Sequence, residues 1–195
     1  VHTEHGTKYA LDLSKVMFSP GNKAERARMG EIVESGERVL DMFAGIGYFS
    51  LPMARADANV IAVERNPVAF RYLLENAVLN GVEDRVDAYR ADCRDVDVAP
   101  VERVVMGYYD AAEQRSDEDG TPYEYLPTAF AALSRGGVLH MHEATPEPEL
   151  WDGPVSRLRE AAANADRDVE ILGRRRVKSH SAGVAHVVLD ARVWP

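Results

Sequence analysis

Two rhythms of apolar positions alternate along the chain: short continuous runs that read as buried strands, and positions three or four apart that read as helix faces. Residues 1–12 read as a polar–apolar hairpin around His5-Gly6. Met29, Ile32 and Val33 carry helical spacing over 24–33, with Ser19-Pro20 as the lead-in. The run 38–43 predicts a buried strand entering a glycine turn, and 48–56 the helix beyond it. A second strand is expected at 60–64. A long helix follows over 67–80, with Phe70, Leu73, Leu74, Ala77 and Val78 on one side and Gly81 as its stop. Further strands are expected at 87–90, 104–106 and 138–142, the last after Gly136-Gly137, with helices at 123–133 and 155–165. Two final strands, 169–172 and 185–193, follow one another without a helix. The acidic stretch 110–122 reads as a mobile surface loop. The alternation predicts an α/β fold: a mostly parallel seven-stranded sheet with helices on both faces, an antiparallel edge strand and a short hairpin in front.

Composition narrows the class. A chain of 195 residues with 46% hydrophobic positions is sized for one core. No apolar run approaches the ~20 residues that cross a bilayer and no leader pattern opens the chain, so membrane insertion and secretion are not expected, and the expected compartment is the cytoplasm. The single cysteine, Cys93, excludes an internal disulfide and a multi-cysteine zinc site, and no metal is expected. Lys+Arg 23 against Asp+Glu 32 gives a net charge of −9, which disfavours a uniformly basic nucleic-acid binder. Only Lys8, Lys15, Lys23 and Lys178 are lysines. A carboxylate-rich, lysine-poor surface is the expectation for a very salty, archaeal type of cytoplasm, where charge repulsion is screened over short distances. In such a setting net charge says little about partners. The first residue is Val1, and an upstream segment is expected. The boundaries expected are a hairpin and linker over 1–20 and a cofactor-binding catalytic domain over 21–195.

The chemistry concentrates at strand ends. Asp41-Met42-Phe43-Ala44-Gly45-Ile46-Gly47 lies between a strand and a helix, where glycines let the backbone approach a ligand. A nicotinamide site asks for a third glycine to seat the pyrophosphate, and Gly45-Ile46-Gly47-Tyr48-Phe49-Ser50 lacks it. An acidic residue before the loop suits a ligand with a cationic end and no phosphate. This pattern resembles the first motif of class I S-adenosylmethionine-dependent transferases. Glu64 closes the second strand, where a carboxylate accepts two ribose hydroxyls, and Asp92 follows the third, where such enzymes hold the adenine. Nitrogen methyltransferases carry Asn/Asp-Pro-Pro-aromatic after the fourth strand. Here the residues are Met106-Gly107-Tyr108-Tyr109, so the usual holder of a target nitrogen is missing.

A specific resemblance covers the chain from about Lys8 to Val193. It is carried by Phe18-Ser19-Pro20-x-Asn22-x-x-Glu25-Arg26-x-Arg28-Met29, the stretch from Asp41 to Gly47, Met106-Gly107-Tyr108, Gly137-Val138-Leu139-His140-Met141-His142-Glu143-x-x-Pro146, and Gly183-x-x-His186-Val187-Val188-Leu189-Asp190. Together these resemble the wyosine-pathway tRNA aminocarboxypropyltransferases, sisters of the archaeal and eukaryotic tRNA guanosine N1-methyltransferases. Met106-Gly107-Tyr108 and His140-x-His142 lean toward the aminocarboxypropyl branch. Family members usually carry an additional N-terminal region for tRNA recognition, most of which this sequence lacks.

The resemblance implies transfer of the 3-amino-3-carboxypropyl group of S-adenosylmethionine to C7 of 4-demethylwyosine beside the anticodon of tRNA-Phe. The alternative is guanosine N1-methylation in tRNA by the same fold. The implied cofactor set is Ser19 and Arg26 at the methionine end, Asp41, Phe43, Gly45 and Gly47 at the sulfonium side, Glu64 and Arg65 at the ribose, Asp92 and Cys93 at the adenine, and Gly107 after the fourth strand. Cys93 is read as a packing residue offering its backbone. Ala24 stands where the family often has a basic residue, with Lys23 one position earlier. Tyr108, His140 and His142 are the candidate catalytic residues, the histidines as acceptors of the C7 proton or partners of the base. For tRNA the dense basic patch is Arg174-Arg175-Arg176-x-Lys178-x-His180, placed between the last two strands, where it would contact phosphates without reading sequence. The anticodon arm is the expected partner, and the chain is expected to act as a monomer.

Overall fold

The computed structural model describes residues 1–112 and 125–195. The chain divides into two compact units, Val1–Asp97 and Val98–Pro195.

The first unit opens with an antiparallel hairpin, β1 (His2–Glu4) and β2 (Thr7–Tyr9). His5 and Gly6, at φ 47° and 79°, form its two-residue turn, the left-handed kind that matches strand twist. A 3₁₀ turn at Pro20–Asn22 leads into α1 (Lys23–Ile32). Then come β3 (Arg38–Asp41), α2 (Ser50–Arg55), β4 (Asn59–Val63), α3 (Pro67–Asn80) and β5 (Val86–Tyr89). The last three strands are parallel in the order β5-β4-β3. Val39, Leu40, Val60, Ala62 and Val63 of these strands and Leu73 of α3 are almost wholly buried.

Local chemistry sets the ends of α3 where the sequence predicts them. The Asn66 side chain accepts from the Val68 and Ala69 amides at 2.9 and 3.2 Å, Pro67 opens the first turn, and Gly81 closes the helix at φ 64°. By contrast α2 starts two residues later than the pattern suggests, because Gly45 and Gly47 at φ 58° and 98° keep the chain in a loop. The hairpin docks on α3 through side-chain amides. Buried Asn76 accepts from the Ala10 amide (2.6 Å) and donates to the carbonyls of Ala10 (3.1 Å) and Ile46 (3.0 Å). One turn on, Asn80 pairs with both backbone groups of Lys8 (2.8 and 2.7 Å).

The second unit holds β6 (Val101–Met106), α4 (Leu126–Ala132), β7 (Leu133–Pro146), α5 (Asp152–Asn164), β8 (Asp168–Ser181) and β9 (Val184–Trp194). β6 and β7 are parallel, β9 lies antiparallel between β7 and β8, and β8 is the edge. Most of the acidic loop expected over 110–122, and the first two residues of the helix expected from 123, lie outside the described residues.

Two strands, β7 and β8, run well past their apolar runs. β7 begins before Gly136-Gly137: its pairing with β6 jumps from Val101↔Leu133 to Arg103↔Val138, and Gly136 at φ 75° carries the bulge. It also runs four residues past His142, to Pro146, because β9 pairs with it as far as Pro146↔Val184. β8 extends to Ser181 because β9 supplies its ladder from Trp194 to Val184. Its arginines, lysine and histidine are tolerated because an edge strand exposes one side to water. The fold is therefore the α/β class the alternation predicts, with seven sheet strands, mostly parallel, an antiparallel edge and a hairpin in front.

Candidate functional site

In the first unit three carboxylates sit at or just beyond the carboxyl ends of parallel strands: Asp41 at the end of β3, Glu64 after β4 and Asp92 after β5. Asp41 is wholly buried; Ser50 Oγ donates to it at 2.7 Å and the Phe43 amide at 3.4 Å. Burial pushes its carboxyl up to about 6; the hydrogen bonds from Ser50 and Phe43 oppose that rise and nearby Glu64 adds to it.

Glu64 holds the loop in shape. One oxygen accepts from the Gly45 amide at 2.9 Å and the other from the Asn66 amide at 2.6 Å. A Cβ on Gly45 would stand 2.4 Å from the Tyr48 ring, and one on Gly47 2.6 Å from Leu51, so both positions exclude a side chain. Asp92 accepts from the backbone and guanidinium of Arg94 at 2.8–3.0 Å, and these bonds hold its carboxyl below the usual range. Cys93 is buried, and that burial pushes its thiol up to about 12, which suits packing rather than nucleophilic work. Arg65 is exposed and Phe43 half-buried.

The methionine-end candidates are arranged differently from a bare clamp. Arg26 is buried, with Nε and Nη2 facing Glu4 at 2.8 and 2.7 Å, Nη1 donating to the Ser19 carbonyl at 3.0 Å, and the Phe18 ring 4.6 Å from its guanidinium. Burial alone would raise the Glu4 carboxyl, but hydrogen bonds from His2 and Arg26 outweigh it and hold it below its ordinary value. A cavity of about 250 Å³, lined by Glu4, Thr7, Tyr9, Arg26 and Arg55, opens beside this pair. Sequence reasoning missed Glu4, because nothing in a three-residue strand marks a glutamate as buried.

In the second unit Gly107 and Tyr108 follow β6, and Tyr108 is 37% exposed. His140 and His142 lie inside β7 rather than at its end, and both are buried. His140 is held on both sides: Arg103 donates to Nε2 at 2.6 Å, and Nδ1 faces Asp190 at 2.6 Å. The geometry fixes an Nδ1–H tautomer and ties β6, β7 and β9 together. Glu143 likewise accepts from Thr145 and from Arg157, so it braces α5 against β7.

The basic patch lies within β8, not in a turn. Arg175 pairs with Asp190 at 3.2 Å, Arg176 with Glu147, and exposed Arg174 makes no ion pair among the described residues. Nor do the described residues contain a cluster of three or more His, Cys, Asp or Glu placed to hold a metal ion.

Three acidic groups on adjacent parallel strands, with a side-chain-free loop beside them, fit a ligand that brings a cation, a diol and an amine to the carboxyl edge of the sheet. Fold and acidic set define an α/β transferase of the S-adenosylmethionine-dependent class. Comparison with known proteins narrows this: the chain belongs to the TRM5/TYW2 methyltransferase domain family, which matches residues 1–172. It is 40% identical to the tRNA(Phe) (4-demethylwyosine(37)-C(7)) aminocarboxypropyltransferase of Pyrococcus horikoshii, over 100% of this chain and 67% of that one. The crystal structure of Methanocaldococcus jannaschii TYW2 in complex with AdoMet is similar at TM-score 0.87 and 37% identity, covering 99% of this chain and 84% of that one. Pyrococcus abyssi Trm5b, a tRNA (guanine(37)-N(1))-methyltransferase, is similar at TM-score 0.88 and 34% identity, covering 100% of this chain and 56% of that one.

Proposed function

We propose that this chain transfers the 3-amino-3-carboxypropyl group of S-adenosylmethionine to C7 of 4-demethylwyosine next to the anticodon of tRNA-Phe. The observation that carries the proposal is the 40% identity, across the whole chain, to an enzyme of that activity. Met106-Gly107-Tyr108 in place of Asn-Pro-Pro supports it over N1-methylation.

S-adenosylmethionine, when bound, supplies an electrophilic carbon beside its sulfonium. The chain's part is to place that carbon and to take up the proton that C7 loses. Asp41 and the Gly45–Gly47 loop present negative charge and open backbone to a cationic group, a placement a buried carboxylate reinforces. Glu64, which keeps acceptor capacity beside its two amide partners, would accept from the ribose hydroxyls, with Arg65 beside it. Asp92 and the Cys93 backbone hold the adenine, and Phe43 lines the ring. Ser19 and Arg26 meet the methionine end, Arg26 through a guanidinium that Glu4 has already oriented. Gly107 follows β6, and the partly exposed Tyr108, together with His142 of β7, is proposed to work on the base. Positioning an already activated electrophile accounts for much of such catalysis.

Arg174, Arg175, Arg176 and Lys178 present cations along β8 to tRNA phosphates, orienting the anticodon arm without reading sequence. Two of these cations are already paired within the chain, so binding by this chain is weak. The carboxylate-rich, lysine-poor composition supports an archaeal, high-salt cytoplasm, and no helix among the described residues is long and apolar enough to cross a membrane.

Mass spectrometry of nucleosides and small products tests the proposal. The chain is incubated in high salt with S-adenosylmethionine and tRNA carrying the tricyclic base. Gain of an aminocarboxypropyl group with release of methylthioadenosine supports it. Gain of a methyl group with release of S-adenosylhomocysteine overturns it in favour of the second reading, which the 34% identity to Trm5b keeps in view.

A further inference from the structure

Gly183-x-x-His186 belongs to the motif set of the sequence, yet none of the roles above uses His186. The residue is wholly buried in β9. Its Nε2 lies 3.0 Å from Nδ1 of His142 on β7, and the two rings sit 5.2 Å apart at 32°. Above it rests Tyr109, two residues past Gly107, with ring centroids 4.3 Å apart at 41°. The far side of Tyr109 meets the edge of His180 on β8 at 5.3 Å. Nδ1 of His186 is buried with no hydrogen-bond partner among the described residues.

Toward Tyr109 His186 offers the face of its ring and no hydrogen bond. The contrast with His140 is sharp: that histidine has a partner on each nitrogen and reads as a brace. Around His186 the charged and titratable groups are His142 from β7, Lys178 and His180 from β8, and Tyr109 from the turn after β6. Burial, with Lys178 and then His180 adding to it, disfavours a positive charge, so the imidazole is neutral and packs tilted against the Tyr109 ring.

We propose that His186 is a positioning residue for the transfer, acting through Tyr109: its ring, anchored by His142, is the platform that fixes the Gly107-Tyr108-Tyr109 turn and so aims Tyr108 outward. The proposal rests on the aminocarboxypropyl reading for its reaction but not for its geometry. No covalent step passes through His186. It holds a side chain in place.

The test compares His186→Gln, which keeps a hydrogen-bonding group toward His142 and loses the ring, with His186→Phe, which keeps the ring and loses the nitrogens. Val193→Ala, a buried β9 position that pairs with Gly137 and Val169 away from His142 and His186, controls for stability. All are assayed well below their melting midpoints. The Gln variant is expected to lose at least about tenfold in kcat with KM for S-adenosylmethionine within about twofold, and the Phe variant to recover to within about threefold of the parent. Val193→Ala is expected to melt earlier with kcat unchanged. Parent-like kcat in the Gln variant, equal damage in Gln and Phe, or an equal loss in Val193→Ala each overturns the proposal. If the parent chain methylates instead, the functional reading fails while the same comparison on the methylated product still judges His186. If no product forms, the fluorine resonance of fluorotyrosine at position 109 decides: it shifts in Gln and stays in Phe, and the reverse pattern sinks the idea.

Discussion

Ser50 Oγ donates to Asp41 at 2.7 Å within a pocket where the Asp41 carboxylate has no exposure to solvent. The bond crosses the glycine loop from the first residue of α2 to the last of β3. It eases ionisation of a carboxyl that burial would otherwise keep neutral, and the balance leaves Asp41 titrating at about 6 instead of near 3.8.

The first prediction follows from that balance. Affinity for S-adenosylmethionine is expected to rise about tenfold from pH 5 to pH 7 as Asp41 ionises. Stability moves the other way, because between about 4 and 6 the folded chain holds a proton that the unfolded chain has released. Asp41→Asn removes both effects: cofactor affinity at pH 7 drops and loses its acid limb, while the melting midpoint at pH 7 increases. Titration calorimetry and thermal melts across pH read the two directly. A pH-independent affinity in the parent chain would discard Asp41 as the sulfonium-side carboxylate.

The order of elements was legible because each strand is a compact apolar run and α3 carries both of its end signals, Asn66 and Gly81. Strand ends were not. β7 and β8 continue through Glu143, Arg174 and Lys178, residues that look like loop in isolation and become strand only because β9 offers them a ladder. The same limit applies to the site. Asp41, Glu64 and Asp92 announce themselves by position at strand ends, which is a local property. The partners that decide what a histidine or arginine does are distant in sequence: Asp190 for His140, His186 for His142, Glu4 for Arg26. Spacing within one strand shows that His140 and His142 share a face and says nothing of how differently they are held.

Asp190 supplies a second prediction. It accepts from His140 Nδ1 and pairs with Arg175, so Asp190→Ala strands a buried N–H beside a buried arginine. A loss of about 3 kcal/mol is expected. Asp190→Asn, whose amide oxygen still accepts from Nδ1, is expected to lose less than half as much. Urea denaturation of the two variants distinguishes this brace from a proton relay, in which the asparagine variant would be as inactive as the alanine one.

The arginines of β8 differ in a way that tRNA binding can report. Arg174 is exposed without an ion pair among the described residues, whereas both terminal nitrogens of Arg176 are engaged by Glu147. Arg174→Ala is expected to reduce the slope of log affinity against log salt by about 1, as for one phosphate contact, and Arg176→Ala by clearly less. Filter binding over a salt series measures both slopes. Equal slopes in the parent and Arg174→Ala would remove Arg174 from the interface.

His186 has a stability effect opposite in sign to that of Asp41. Burial, with Lys178 and then His180 adding to it, pushes its imidazole down to about 4. Between that value and the ordinary 6.5 the unfolded chain binds a proton that the folded chain refuses, so stability from this residue is complete above pH 6.5 and falls as the pH drops toward 4. The loss expected across the window is about 3 kcal/mol. In the parent chain it opposes the gain from Asp41 over much of the same range, which flattens the acid side of the stability profile. Asp41→Asn should therefore uncover a profile that rises with pH between 4 and 6.5, and His186→Phe one that falls between 4 and 6. Melting midpoints of the two variants at half-unit pH steps read both slopes. A His186→Phe profile that parallels the parent across this window would mean that the imidazole accepts its proton in the folded chain as readily as in the unfolded one, and that the neutral pair with His142 does not exist.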